Sequence, residues 1–233
     1  MKKATKRLLS IIAVILVLVL GIGTYLLYPI LIMNPVETGT ILDTDIYAIK
    51  NSRSNMFLYK TGDGYIMIDA GSDTKNVEKS LIEIGIDAAD VKWIFITHTD
   101  DDHISSLALF PNADVYMSEG VSRSGSGRNT VPSNVESAEV GFLIDNQELL
   151  CDKTVVRCIK APGHTDGSMV YLIDGKYLFT GDAFKVTGGK VGVHPFTTDK
   201  EVAGKTIENL KETINGSSLI LTSHYGYHEK LEF

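Results

Sequence analysis

Only two cysteines occur in the 233 residues of this chain. That excludes a disulfide-rich mini-protein and zinc modules built on C-x-x-C pairs. A basic excess is also missing: 22 Lys and Arg stand against 29 Asp and Glu, a net charge of −7. That balance argues against general nucleic-acid binding. Charge is absent altogether from Leu8 to Met33, and no acidic residue precedes Glu37. Past residue 45 there is neither an internal repeat nor a break in composition. What the chain does have is 44% apolar residues, enough to bury a sizeable core and to exclude a disordered chain.

The net charge conceals a division. Lys2, Lys3, Lys6 and Arg7 give the first 33 residues +4, which leaves −11 on the rest. Leu8 to Tyr28 supplies 21 residues without a charge, and about 20 apolar residues cross a bilayer as a helix. Tyr25 and Tyr28 suit the headgroup interface, and Pro29 is expected to end the helix. The cations before it predict a cytoplasmic tip, with the C-terminal part outside the membrane. The rival is a secretion signal cleaved near Gly23, for which Gly21 and Gly23 are suitably small. Continued apolarity through Tyr28 and Met33 favours the anchor. The chain therefore divides into a tip and anchor over 1–33, a linker over 34–44 and one domain over 45–233.

In that domain, Tyr47–Lys50, Asn55–Lys60, Tyr65–Asp69, Val91–Ile96 and Asp114–Met117 read as strands. So do Val140–Ile144, Glu148–Cys151, Thr154–Ile159, Ser168–Ile173, Lys176–Phe179 and Leu219–Thr222. Helices are predicted over Thr74–Ile84, His103–Phe110 and Lys200–Ile214. Gly120–Asn134 reads as a mobile surface loop carrying Arg123 and Arg128, which are solvated or hold an anionic substrate. Sandwiched sheets with outer helices fit this order better than a doubly wound parallel sheet. Cys151 and Cys158 flank a turn at Asp152-Lys153. In that register they lie roughly 13 Å apart, too far for a disulfide.

Four of the six histidines sit beside Gly, Asp or Ser at predicted strand ends. The densest cluster is Thr97-His98-Thr99-Asp100-Asp101-Asp102-His103, directly after a buried strand. Capping by Asp101 or Asp102 would explain one carboxylate and neither histidine. Alternate positions on an extended segment face one side, so His98, Asp100 and Asp102 can converge, with His103 entering from the helix start. Imidazoles and carboxylates are common ligands of divalent metals. Pro162-Gly163-His164-Thr165-Asp166, Thr180-Gly181-Asp182 and Ser223-His224-Tyr225 repeat the device at three more strand ends.

The ordered set His98-x-Asp100-x-Asp102-His103, His164, Asp182 and His224 resembles the metallo-β-lactamase superfamily of metal-dependent hydrolases. The resemblance covers about residues 45–224 and includes Asn55-Met56-Phe57-Leu58 and Ile68-Asp69-Ala70-Gly71. It implies an α+β fold, a four-layer αβ/βα sandwich, with two divalent metal ions in a cleft between the sheets. It assigns His98, His164 and the position of Asp100 to the first ion. Asp102, His103 and His224 go to the second, and Asp182 bridges. Asp69 falls where the family has an acid supporting the ligand loop. Asp102 and Asp182 are the expected catalytic carboxylates.

One position departs from the family pattern, which has histidine where this chain has Asp100. Either the carboxylate takes the histidine's place, or it misses the first ion and only the second site fills. A third anionic ligand makes manganese or iron more competitive with zinc, the expected ion. His194, in Gly192-Val193-His194-Pro195, and His228 lie outside the pattern. Each is a candidate for substrate binding, and His194 could also replace the missing histidine. The more ordinary reading of both is a solvated loop histidine. Hydrolysis of an ester, thioester, lactone, amide or phosphodiester in a small molecule is the implied activity. A di-iron protein reducing oxygen or nitric oxide is the alternative that Asp100 motivates, and a non-catalytic metal sensor is the third.

Overall fold

The computed structural model describes residues 2–121, 131 and 140–233. The chain forms two compact units, 1–33 and 34–233. The first contains one helix, α1 (Lys2–Leu31). Its stretch Arg7–Leu31 has a mean hydropathy of 2.7 and is long and apolar enough to cross a membrane. Pro29 does not end it. Proline loses its own N–H bond and crowds the carbonyl four residues back, yet the helix runs two residues past it to Leu31, and Ile32 N–H donates to Tyr28 O at 3.2 Å.

The second unit opens on a seven-stranded sheet in chain order: β1 (Gly39–Thr40), β2 (Ile46–Asn51), β3 (Ser54–Lys60), β4 (Tyr65–Ile68), β5 (Val91–Phe95), β6 (Asp114–Ser118) and β7 (Val140–Leu143). From β4 to β7 the neighbours run parallel. The connections carry α2 (Thr74–Glu83) between β4 and β5 and the one-turn α3 (Asp101–Ile104) between β5 and β6. Asp73 caps α2, accepting from the N–H groups of Lys75 and Asn76.

The second sheet has six strands: β8 (Gln147–Cys151), β9 (Thr154–Lys160), β10 (Met169–Ile173), β11 (Tyr177–Phe179), β14 (Leu219–Thr222) and β15 (Gly226–His228). Between β11 and β14 come a hairpin, β12 (Lys185–Thr187) and β13 (Lys190–Gly192), and α4 (Lys200–Gly216). Its cap is Asp199, which accepts from Glu201 and Val202 N–H.

Side chains alternate across the first sheet because successive residues of a strand face opposite sides. Phe57, Ile66, Ile68 and Phe95 turn inward to meet Val156, Tyr171, Phe179 and Leu221 of the second sheet. The Phe57 and Phe179 rings approach to 5.6 Å between the layers. Met56, Leu58, Met67 and Ile94 turn the other way and pack with Val77 and Leu81 of α2. On the far side, Thr206 of α4 donates to Pro162 O after β9 at 2.7 Å. The order is helix, sheet, sheet, helix: a four-layer αβ/βα sandwich in the α+β class.

Some expectations shift. The helix predicted over His103–Phe110 is α3, which starts at Asp101, followed by a separate 3₁₀ turn at Leu107–Leu109. β1, the β12–β13 hairpin and β15 are too short to give a periodic signal. The loop predicted over Gly120–Asn134 lies outside the described residues except at Gly120, Val121 and Val131, and so do Arg123 and Arg128. Cys151 pairs with Thr154 across the β8–β9 turn, and both cysteines are free and buried.

Candidate metal centre

Parallel strands end together, so the loops that follow them share one edge of the sandwich. His98 and Asp69 follow β5 and β4, His164 follows β9, Asp182 follows β11 and His224 follows β14. The sheets are joined at this edge. Met169 N–H donates to Thr97 O at 2.8 Å and Asn55 N–H to Ser223 O at 2.7 Å. The Tyr171 hydroxyl adds a bond to Ile96 O at 2.6 Å.

Asp69 braces the ligand loop. Its backbone sits at φ 62°, a strained region for a non-glycine residue. Its carboxylate accepts from Thr97 N–H at 2.8 Å. The Thr97 hydroxyl contacts both carboxylate oxygens, at 3.0 and 2.9 Å, and stands 3.1 Å from His98 Nδ1. With its one proton given to Asp69, the hydroxyl accepts from His98 Nδ1–H. Gly181 makes room for Thr97: a Cβ there would lie 2.4 Å from the threonine Oγ1, and its φ of +51° also favours glycine.

Asp69 also fixes His103. Oδ2 lies 2.8 Å from His103 Nδ1, so Nδ1 donates and Nε2 is left to face the centre. His224 is set the same way, with Nδ1 donating to Arg53 O at 2.7 Å. Burial opposes charge on His103, but Asp69, then Asp102 and its bond to Asp69, hold its pKa up to about 10. An ion taken at Nε2 therefore displaces a proton. Burial likewise opposes charge on His224, which Asp182 outweighs, so that pKa is also raised.

The centre itself is four overlapping groups: His98–Asp100–His164, His98–His103–Asp182, Asp102–His103–His224 and His164–Asp182–His194. Asp100 is the N-cap residue of α3, yet its side chain makes no capping bond, so the alternative that Asp101 or Asp102 serves as that cap does not hold. Its Oδ2 lies 3.3 Å from His164 Nε2 and 3.5 Å from His98 Nε2. Asp182 faces two ways. Oδ2 is 4.0 Å from His98 Nε2 and 3.6 Å from His164 Nε2. Oδ1 is 3.8 Å from His103 Nε2 and 3.2 Å from His224 Nε2. Asp102 Oδ2 completes that side, 3.6 Å from His103 and 3.5 Å from His224. Burial works against ionisation of Asp182, but His224 and His194 beside it hold the carboxyl well below its usual range.

These residues fit a metal. Donors about 2.0–2.1 Å from a tetrahedral ion stand about 3.3–3.4 Å apart, and the wider gaps leave room for higher coordination. His98 Nε2, His103 Nε2 and Asp182 Oδ1 are buried without a hydrogen-bond partner among the described residues. Such orphaned atoms are costly unless something binds them.

Two histidines stand outside the family pattern, and the structure separates them. His194, read from sequence as a solvated loop residue, is 1% exposed and stands inside the centre. Burial pushes its pKa down to about 4. His228, in β15, belongs to none of the four groups. It is half-buried, and its Nε2 donates to Tyr225 O at 2.9 Å. Sequence reasoning missed Thr97 and Tyr225. Thr97 had only its place before His98 to mark it. Tyr225 adjoins His224, and its buried hydroxyl has no partner among the described residues.

Comparison with known proteins gives the family and the fold. Residues 50–215 match the family model described as "Metallo-beta-lactamase superfamily". A Bacillus subtilis protein named "Probable polyketide biosynthesis zinc-dependent hydrolase" is 28% identical over 126 residues, 53% of this chain and 51% of that one. A hydroxyacylglutathione hydrolase of Glaesserella parasuis is 33% identical over 123 residues, 51% of this chain and 45% of that one. The chain thus spans about half the length of these curated relatives. Among solved structures, a B3 metallo-beta-lactamase characterised as having an active-site glutamic acid superposes with a TM-score of 0.63 at 17% identity. That overlap covers 85% of this chain and 84% of the other, and at such identity the likeness is one of fold.

Proposed function

The chain belongs to the metallo-beta-lactamase superfamily, and from that premise we propose that it is a two-metal hydrolase of a small-molecule ester, thioester, lactone, amide or phosphodiester, tethered to a membrane. The observation that carries the two-metal reading is Asp182, whose two oxygens face different histidine pairs, His98 with His164 and His103 with His224. His98, His164 and Asp100 would hold one ion, and Asp102, His103 and His224 the other. Bound divalent ions, zinc first, would supply Lewis acidity and lower the pKa of a coordinated water.

The protein's own groups do the rest. Asp69, Thr97 and the Arg53 carbonyl fix three imidazoles so that each presents Nε2. Asp102, whose side chain is 41% exposed, is the carboxylate with access to solvent. It orients the nucleophile and relays a proton to the departing group. The hydrolases among the relatives favour this reading over di-iron redox chemistry.

Four cations precede the apolar helix and no acid does. That pattern supports a single-pass anchor with the domain on the extracytoplasmic side. Protease added to intact cells should then remove the domain; its protection would reverse the orientation.

The activity is tested on the full chain in detergent, loaded with zinc, manganese or iron. It is screened against esters, thioesters, lactones, β-lactams and phosphodiesters. Turnover that a chelator abolishes is expected for at least one class. Two irons with oxygen-dependent absorption changes and no hydrolysis would sink the proposal.

A further inference from the structure

We propose that His194 is a ligand of the first metal half, where it restores the imidazole that Asp100 removes from the family's pattern. This rests on the two-metal reading above and adds to it a residue from outside the His-x-Asp-x-Asp-His run.

His194 lies on the connection between β13 and α4, where a histidine would ordinarily face water. It is buried instead, and neither Nδ1 nor Nε2 has a hydrogen-bond partner among the described residues. A neutral imidazole always carries one N–H, so burying both nitrogens unpaired is unfavourable unless one takes an ion. The ring points to where an ion would sit. Nε2 is 3.7 Å from Asp182 Oδ2, and the same oxygen faces His98 at 4.0 Å and His164 at 3.6 Å. Three imidazoles thus surround Oδ2, whereas two surround Oδ1.

The backbone holds this arrangement. Asp199 N–H donates to Gly163 O at 2.9 Å, and Thr198 N–H to His164 O at 3.2 Å. The His194 loop is thereby stitched to the His164 loop, and the two rings come within 5.1 Å. Gly163 permits the approach, since a Cβ there would lie 2.5 Å from the Ala203 backbone. A residue serving only to pack would be better apolar: two of the rings nearest His194 belong to His164 and His224.

The test uses the full chain in detergent, reconstituted with cobalt(II). Proton NMR counts the exchangeable imidazole N–H signals shifted by the paramagnetic ion. Five are expected from the wild type, for His98, His103, His164, His194 and His224, and four from H194N and H194A. Chelator competition should show the first ion bound at least tenfold more weakly in both variants, with the second little changed. Four signals from a wild type that binds two ions would overturn the proposal and leave the two-metal reading standing. So would variants that keep wild-type affinity for both ions. A wild type that binds no cobalt would end both. Should either variant fail to fold, the wild-type signal count decides alone.

Discussion

The two halves of the candidate metal centre are built differently. The Oδ1 half has two histidines, each locked from behind: His103 by Asp69 and His224 by the Arg53 carbonyl. Its third donor, Asp102, is open to solvent. The Oδ2 half has Asp100 where the family has histidine, and a buried histidine arriving from a distant loop. The brace on His98 there is a hydroxyl, that of Thr97. One half keeps the family's residue types, with both imidazoles fixed by a hydrogen bond at Nδ1. The other would offer an ion a harder, more negative donor set, with Asp100 beside Asp182. The difference teaches that the fold can bring a histidine from a distant loop to the side of the centre where the sequence pattern lacks one.

The most severe way to break the comparison is Asp182→Ala, because both halves share that carboxylate. Neither ion should survive dialysis, and turnover should fall to the metal-free background. That exceeds the roughly 10–100-fold cost of losing a supporting partner. Metal content retained at two ions per chain would contradict the bridge. Asp69→Asn acts directly on His103 and only through Thr97 on His98: the second ion should bind about 10–100-fold more weakly, and the first should weaken less. Competition with a chelator reads both. Thr97→Val touches both halves through one hydroxyl, so a loss of about tenfold in each is expected. Loss confined to one side would show that Asp69 and His98 are not coupled. The mildest change is Asp100→His. It removes the added negative charge, and the zinc-to-manganese ratio bound from an equimolar mixture should rise about three- to tenfold. An unchanged ratio would mean that Asp100 does not ligate.

Much of this was legible in the sequence, and for physical reasons. Val91–Phe95 and Leu219–Thr222 are apolar strands that stop at a polar run, so His98 and His224 could be assigned to strand ends. Met56-Phe57-Leu58-Tyr59 is an unbroken apolar run, so Asn55–Lys60 could be read as a strand. His194 could be named from sequence as a candidate to replace the missing histidine, but its burial was not legible, because nothing in Gly192-Val193-His194-Pro195 encodes the backbone bonds that draw that loop onto His164. Pro29 misled because its penalty is local, and an apolar helix with two residues left to place absorbs it. The helix over His103–Phe110 broke because α3 is a single turn whose job is to present Asp102 and His103, and Ser105 and Ser106 follow at once.

The central claim is a pair of ions bridged by Asp182. Anomalous diffraction from crystals of the full chain grown with zinc, recorded on both sides of the zinc edge, measures it directly. Two peaks are predicted, one against Asp182 Oδ2 with His98 and His164, the other against Oδ1 with His103 and His224. A single peak, or none touching Asp182, would contradict it.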